Sequence, residues 1–230
     1  MPFKAVLLDL DNTLYDYDTA HKPALAAAIS FFSDAFSLSN DTVSGAYREG
    51  RSQINRELAG QGASHSRLLY FQRVSELLGF DPCLHSLEAE RVYWERFISK
   101  MELRPGAIDF LDSIRDLQVA IVTDLTAQIQ FQKLQHFRFQ NRFQAIVTSE
   151  EAGIEKPDAR IFKLALHKLG CDATDACVVG DNWHKDISGG VSLGMRSFWM
   201  RLDQEPPAER HELSVEFESF SQLKTLIRSF

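Results

Sequence analysis

The sequence predicts an α/β protein: a mainly parallel sheet covered by helices on both faces, with an all-helical segment inserted near its start. Three observations carry this. Short, wholly apolar runs such as Ala5-Val6-Leu7-Leu8 and Ala176-Cys177-Val178-Val179 suit strands buried on both faces. From residue 107 onward such runs alternate with amphipathic stretches of helical period. Between Tyr17 and Lys100 no strand-like run interrupts a helical texture.

In chain order, the first strand spans residues 3–8 and ends in Asp9-Leu10-Asp11-Asn12-Thr13-Leu14, two carboxylates one residue apart before a turn. Leu25, Ala28, Ile29, Phe32 and Phe36 then recur at helical spacing, with Pro23 suited to an early helical position. Further helices are expected over residues 41–59, 64–78 and 84–100, broken by Gly60-Gln61-Gly62 and Gly79-Phe80-Asp81-Pro82. Residues 17–100 therefore read as a helical insertion, and residues 1–16 with 101–230 as the α/β domain. Leu103-Arg104-Pro105-Gly106 returns the chain to that domain. A helix over residues 107–117, with Ile108, Leu111 and Ile114 or Arg115 around one side, leads to a strand over 119–123. Then come a helix at 127–138, a strand at 145–148, a helix at 158–169 and a strand at 176–180. A short helix at 187–193 and a strand at 195–200 follow. Residues 201–213, with Pro206-Pro207, read as a surface loop, 215–220 as an edge strand and 221–227 as a closing helix.

At 230 residues, 44% hydrophobic and 25% charged, the chain has the size and composition of one water-soluble domain carrying an insertion. A net charge of −7 argues against nucleic acid or an anionic membrane as partner. It also means that a phosphate-bearing ligand needs local positive charge from a metal or a placed lysine. No apolar run reaches the length of a membrane span, and the N-terminus lacks a basic-then-apolar signal pattern. Cys83, Cys171 and Cys177 form no Cys-x-x-Cys pair and read as small buried hydrophobes in a reducing cytoplasm.

In a parallel sheet of this kind ligands bind beyond the C-terminal ends of the strands. Asp9 and Asp11, Thr123, then Asp181 and Asp186 all collect there. Gly180-Asp181-Asn182-Trp183-His184-Lys185-Asp186 repeats the logic of the opening stretch, a buried strand turning at a glycine to present carboxylates. Several carboxylates in one crevice need a cation, and oxygen-only donors favour a hard ion, Mg²⁺ first. Lys156, set by Pro157 before a helix, would offset carboxylates and a phosphoryl group together, and Thr123 could donate to a phosphate oxygen. Read bottom-up, the alternatives are ordinary: turn-forming acids, a helix cap, a solvated lysine and a β-branched strand residue.

Taken together, these four sites in this order resemble the haloacid dehalogenase-like hydrolase superfamily, in the branch whose helical cap is inserted after the first strand. The resemblance implies a Rossmann-like core and a cap that acts as a lid. It implies Asp9 as nucleophile and Asp11 as general acid/base, Thr123 and Lys156 as phosphate-binding, and Asp181 as a Mg²⁺ ligand. It further implies metal contacts from the Asp9 carboxylate and the Asp11 backbone carbonyl, with Asp186 supporting the ligand or the lysine. Asp124 falls where the family often has Asn in a Thr-Asn-Gly run, so its amide remains available to phosphate while its carboxylate needs a cation or must turn away.

The expected activity is Mg²⁺-dependent hydrolysis of a small phosphorylated metabolite, a sugar phosphate or nucleoside monophosphate, through an aspartyl-phosphate. The expected enzyme is a cytoplasmic monomer or homodimer. A phosphomutase is the near alternative, and a 2-haloacid dehalogenase is disfavoured because Asp11 is present. A non-catalytic phosphometabolite-binding protein would be expected to have lost one of Asp9, Asp11, Lys156 or Asp181, and a phospho-acceptor of the receiver kind would be much shorter, without the large helical insertion. Arg48 and Arg51 read as a solvated helix face, with a substrate's distal anion as the alternative. Tyr15 and Tyr17 read as packing at the hinge, and the phenylalanine-rich helices as core.

Overall fold

Six strands form one sheet: β1 (Ala5–Leu8), β2 (Gln118–Thr123), β3 (Ala145–Thr148), β4 (Ala176–Gly180), β5 (Arg196–Met200) and β6 (Ser214–Phe217). This computed structural model describes residues 3–202, 205 and 210–230. The strand order is β3-β2-β1-β4-β5-β6, and every neighbouring pair is parallel. The chain thus builds outward from β1 to one edge, returns to β1, and builds outward to the other. β1 and β4 are buried along their whole length, which is why both read as unbroken apolar runs.

The chain divides into two compact units, Met1–Asp16 with Glu102–Phe230, and Tyr17–Met101. The second unit consists of α1 (Tyr17–Phe36), α2 (Asn40–Glu57), α3 (Arg67–Leu77) and α4 (Pro82–Ser99), with a 3₁₀ turn at Gly62–His65. Ser39, Ser66 and Asp81 cap the last three of these helices, each accepting from a backbone N–H of the first turn. Pro82 sits at the start of α4, where its missing N–H costs nothing. Pro23, by contrast, lies inside α1 rather than near its start, because the helix begins at Tyr17. Phe32, Phe71, Tyr93 and Phe97 are fully buried and form the aromatic centre of this unit.

In the first unit the remaining helices are α5 (Ala107–Ser113), α6 (Ala127–His136), α7 (Ser149–Ala152), α8 (Ala159–Leu169), α9 (Ser188–Ser192) and α10 (Phe220–Leu226). One face of the sheet packs Leu7, Ala120, Val122, Val147 and Val178 against Ile161, Phe162, Ala165, Leu166 and Leu169 of α8. Each large side chain buried there contributes roughly 1.5–3 kcal/mol.

Four expectations are corrected. Ala107, Phe110, Leu111 and Ile114 form the inward stripe of α5, so Ile108 falls off it and is 40% exposed. Phe220 opens α10 instead of ending β6, because Ser219 caps the helix through the Gln222 N–H at 3.3 Å. Of the cysteines only Cys177 is buried; Cys83 is exposed on α4. Phe131 is 46% exposed on the outer side of α6, whereas Phe32 and Phe36 are core. The expected Pro206-Pro207 loop centre lies outside the described residues. Among the described residues no helix is long and apolar enough to cross a membrane.

Candidate active site

The sheet order decides where the polar strand ends meet. β1 is flanked by β2 and β4, with Leu8 in register with Ile121 on one side and Val179 on the other. The tips carrying Asp9, Thr123 and Asp181 therefore emerge side by side, at the point where the strand order reverses direction. The Asp9 N–H extends the ladder past the strand, donating to the Val179 carbonyl at 2.9 Å.

The turn after β1 needs a left-handed residue, and Asn12 supplies it at φ 68°. Its amide donates to Asp181 at 3.1 Å. Thr13 donates to Asp9 at 2.7 Å and lies 3.3 Å from Asp181. One short turn thus ties the tips of β1 and β4 together.

Lys156 lies at the centre. Its ammonium donates to Asp9 Oδ1 at 2.6 Å, to Asp186 Oδ1 at 2.7 Å and to the Val122 carbonyl at 3.1 Å, which uses all three of its hydrogens. Asp186 reaches this point because a π-helical turn, Trp183–Ile187, folds it back over Gly180. A Cβ on Gly180 would overlap the Asp186 carboxyl, so only glycine fits at the end of β4. The second Asp186 oxygen accepts the Asn182 N–H at 3.0 Å.

Oxygens of Asp9, Asp181 and Asp186 all lie within 4.8 Å of one another, and all three residues are buried. Burial raises Asp9 to about 7; Lys156 pulls it down, and Asp186 pushes it up again. Asp181 is likewise raised to about 7, by burial and by Asp9. Asp186 is raised by burial, against the pull of Lys156. Burial also disfavours the Lys156 ammonium, but Asp186 and Asp9 overcome this and hold it charged. Three acids around one ammonium leave an excess of negative charge, and oxygen-only donors fit a hard divalent cation. Sequence reasoning gave Asp186 a supporting place; its carboxylate belongs to this cluster as fully as that of Asp181.

The Asp11 carboxylate belongs to a different set. The fully buried Lys133 donates to its two oxygens at 2.7 and 2.9 Å, Gln130 donates at 3.0 Å, and the Tyr15 hydroxyl donates to it as well. Burial alone would raise Asp11; the Lys133 ammonium and these hydrogen bonds more than cancel that and hold it below the usual carboxylate value. It stands outside the three-carboxylate cluster.

Thr123 is buried at the tip of β2, where its hydroxyl accepts from Gln130 at 2.8 Å. The Asp124 carboxylate turns to Lys185 at 2.8 Å and accepts the Lys156 N–H at 3.1 Å. It has found its own cation and so does not face a phosphate as a free charge. Leu125 follows at φ 99°, a left-handed conformation costly for a branched side chain, with its N–H held by Ser149 Oγ at 2.9 Å.

Sequence reasoning missed Lys133, Gln130 and Lys185, and gave Tyr15 only a packing role. Gln130 and Lys133 stand three apart on α6 and so share a face. Both are fully buried, which was the one available signal: two polar side chains on the inward face beside Ile129 and Leu134.

A family profile described as haloacid dehalogenase-like hydrolase matches residues 3–194. The chain belongs to that family. Within the haloacid dehalogenase-like hydrolases it is 34% identical over 208 residues to a ribulose-1,5-bisphosphate 5-phosphatase of Halopiger xanaduensis, covering 89% of this chain and 87% of that protein. It is 29% identical over 232 residues to a glyceraldehyde 3-phosphate phosphatase of Methanopyrus kandleri, covering 98% and 97%. Among solved structures, an HAD phosphatase from Thermococcus onnurineus superposes with a TM-score of 0.77 at 24% identity, over 97% of each chain. That likeness concerns the fold.

Proposed function

We propose that this haloacid dehalogenase-like hydrolase is a Mg²⁺-dependent phosphatase of small phosphorylated metabolites, acting through an aspartyl-phosphate on Asp9. The observation that carries the reading is the cluster of Asp9, Asp181 and Asp186 around Lys156, with Asp11 two residues beyond the nucleophile. Relatives named for phosphatase activity on a ribulose bisphosphate and on glyceraldehyde 3-phosphate support a sugar phosphate first. The cytoplasmic location belongs to the same proposal, as does the reading of residues 17–100 as the family's cap.

Asp9, Asp181 and Asp186, with the backbone carbonyl of Asp11, would hold the metal ion. When bound, Mg²⁺ supplies positive charge that offsets the phosphate and the crowded carboxylates. The chain's own residues do the rest. Lys156 and Thr13 hold the two Asp9 oxygens from opposite sides and so set the direction from which the carboxylate meets phosphorus. Attack forms the Asp9–phosphorus bond and breaks the bond to the leaving alkoxide, which takes a proton from Asp11. In the second step Asp11 takes a proton from water, and the hydroxide releases phosphate and regenerates Asp9. Lys133 keeps Asp11 in the ionised form that the second step needs. For the first step the carboxyl must be protonated, which weakens its hold on Lys133. The Lys156 ammonium and the amides after Thr123 would hold the phosphoryl oxygens, where charge is spread.

Phosphate release from a panel of phosphomonoesters, with Mg²⁺ and with excess chelator, tests this beside a chloroacid control. Mg²⁺-dependent release is expected. Silence on all phosphomonoesters, or metal-independent halide release, would overturn it.

A further inference from the structure

The three acids of the cluster have their backbones held by different devices. The Asp9 N–H continues the ladder between β1 and β4, donating to the Val179 carbonyl at 2.9 Å. The Asp186 N–H donates to the Asn182 carbonyl at 2.8 Å, where the π-helical turn begins. Asp181 falls between these two, one residue past Gly180, which closes the register of β4 with β5 opposite Trp199. There a side chain takes over. Trp199 Nε1 donates to the Asp181 carbonyl at 2.8 Å.

Burial makes this bond matter. Trp199 is 1% exposed and Asp181 5%, so bulk water is a poor substitute for either the indole N–H or the carbonyl. The half-buried ring of Trp183 meets the Trp199 ring edge-on, with centroids 5.2 Å apart and 77° between the planes. Trp183 opens the π-helical turn that returns Asp186 to Gly180. One fully buried side chain of β5 therefore backs both acids that follow β4. From the other side, Asn12 donates to the Asp181 carboxylate at 3.1 Å, and Thr13 lies 3.3 Å from it. With its oxygens tied to the turn after β1 and its carbonyl tied to β5, the Asp181 side chain is left with one direction, into the cluster of Asp9 and Asp186.

We propose that Trp199 is a positioning residue for the divalent cation of this site, its indole N–H fixing the Asp181 peptide and so aiming the Asp181 carboxylate before the ion arrives. The inference rests on the Mg²⁺ reading of the three-acid cluster. Groups that hold a ligand from behind typically change metal affinity about 10–100-fold when removed.

Calorimetric titration of MgCl₂ into the full chain, with no substrate present, tests this apart from turnover. Trp199→Phe keeps a ring against Trp183 and deletes the N–H. Its Mg²⁺ dissociation constant should rise at least about tenfold, while kcat at saturating Mg²⁺ stays within about threefold. Trp183→Phe leaves the Trp199 N–H in place, and its affinity should stay within about threefold. Unchanged affinity in Trp199→Phe, or an equal loss in Trp183→Phe, would overturn the proposal. A measurement on the unaltered chain covers the case in which Trp199→Phe does not fold. With indole nitrogens labelled, the Trp199 N–H resonance should shift saturably with Mg²⁺, whereas that of Trp94 on α4 should not. A Trp199 resonance that stays put while calorimetry records binding would also overturn the proposal. If the unaltered chain binds no Mg²⁺ at all, the metal reading itself falls and takes this inference with it; binding that Trp199→Phe leaves intact removes the inference alone.

Discussion

Asp9 and Asp11 stand two residues apart, each hydrogen-bonded to a buried lysine, yet the two carboxylates are driven in opposite directions. Asp9 shares Lys156 with Asp186 and has Asp181 beside it, so three acids draw on one ammonium and burial prevails. Asp11 takes two hydrogen bonds from the Lys133 ammonium, has further donors in Gln130 and Tyr15, and keeps a side chain 27% open to water. The count of donors per carboxylate, rather than residue type or depth alone, separates a crowded cation cradle from a settled ion pair.

The sharpest way to break this comparison is Asp9→Asn. Turnover should fall at least about a thousandfold, since an amide cannot act as the nucleophile. In chelator the melting temperature should not fall, because the substitution relieves a crowded charge. A clear drop would make Asp9 an ordinary structural partner of Lys156.

Next in size is the pH dependence of stability. Asp9 and Asp181 sit near 7 in the folded protein against an ordinary 3.8, so the folded state binds more protons between those values. Their contribution is fully present below about 3.8 and is lost as pH rises through 7. Asp11 runs the other way, since its lowered value stabilises above 3.8 and that stability is lost on further acidification. In chelator the protein should therefore melt several degrees lower at pH 8 than at pH 5.5. Mg²⁺ should raise the melting temperature more at pH 8. Equal gains at both pH values would remove the crowding argument.

Lys133→Met probes the other carboxylate. Breaking a buried pair costs about 3–5 kcal/mol, and the partial exposure of Asp11 reduces this to about 2 kcal/mol, measurable by denaturant unfolding. The limb of the kcat profile that reports Asp11 should move to higher pH. An unmoved limb would mean that Lys133 does not set the charge state of Asp11.

The smallest effect is expected for Asp124→Asn. Asparagine keeps an acceptor for the Lys156 N–H, and the ion pair lost to the 30%-exposed Lys185 is worth about 0.5 kcal/mol. A change in kcat/KM of less than about threefold should result. A tenfold gain would show that the Asp124 charge is felt by the phosphate after all.

Much of the site was legible because its acids stand where apolar runs stop. Asp9 and Asp181 each follow a buried strand and Thr123 ends one, and a polar residue in that place announces a strand tip. Gly180 and Asp186 were legible as a pair in the same stretch, though only the π-helical turn shows that the glycine must lack a side chain for the acid to return. The partner of Asp124 was anticipated as a cation but not named. Lys185 lies 61 residues away, and no local pattern carries that distance.

By itself the sequence determined the elements, their alternation, and the acids and lysine of the crevice, because hydrophobic period and turn chemistry are local properties of the chain. Tertiary structure alone decided which strand tips became neighbours, and that Lys133 and Gln130 would face Asp11 rather than water. These outcomes depend on which faces meet across long stretches of chain. Burial then sets the strength and sign of every charge interaction, and burial is a property of the packed fold.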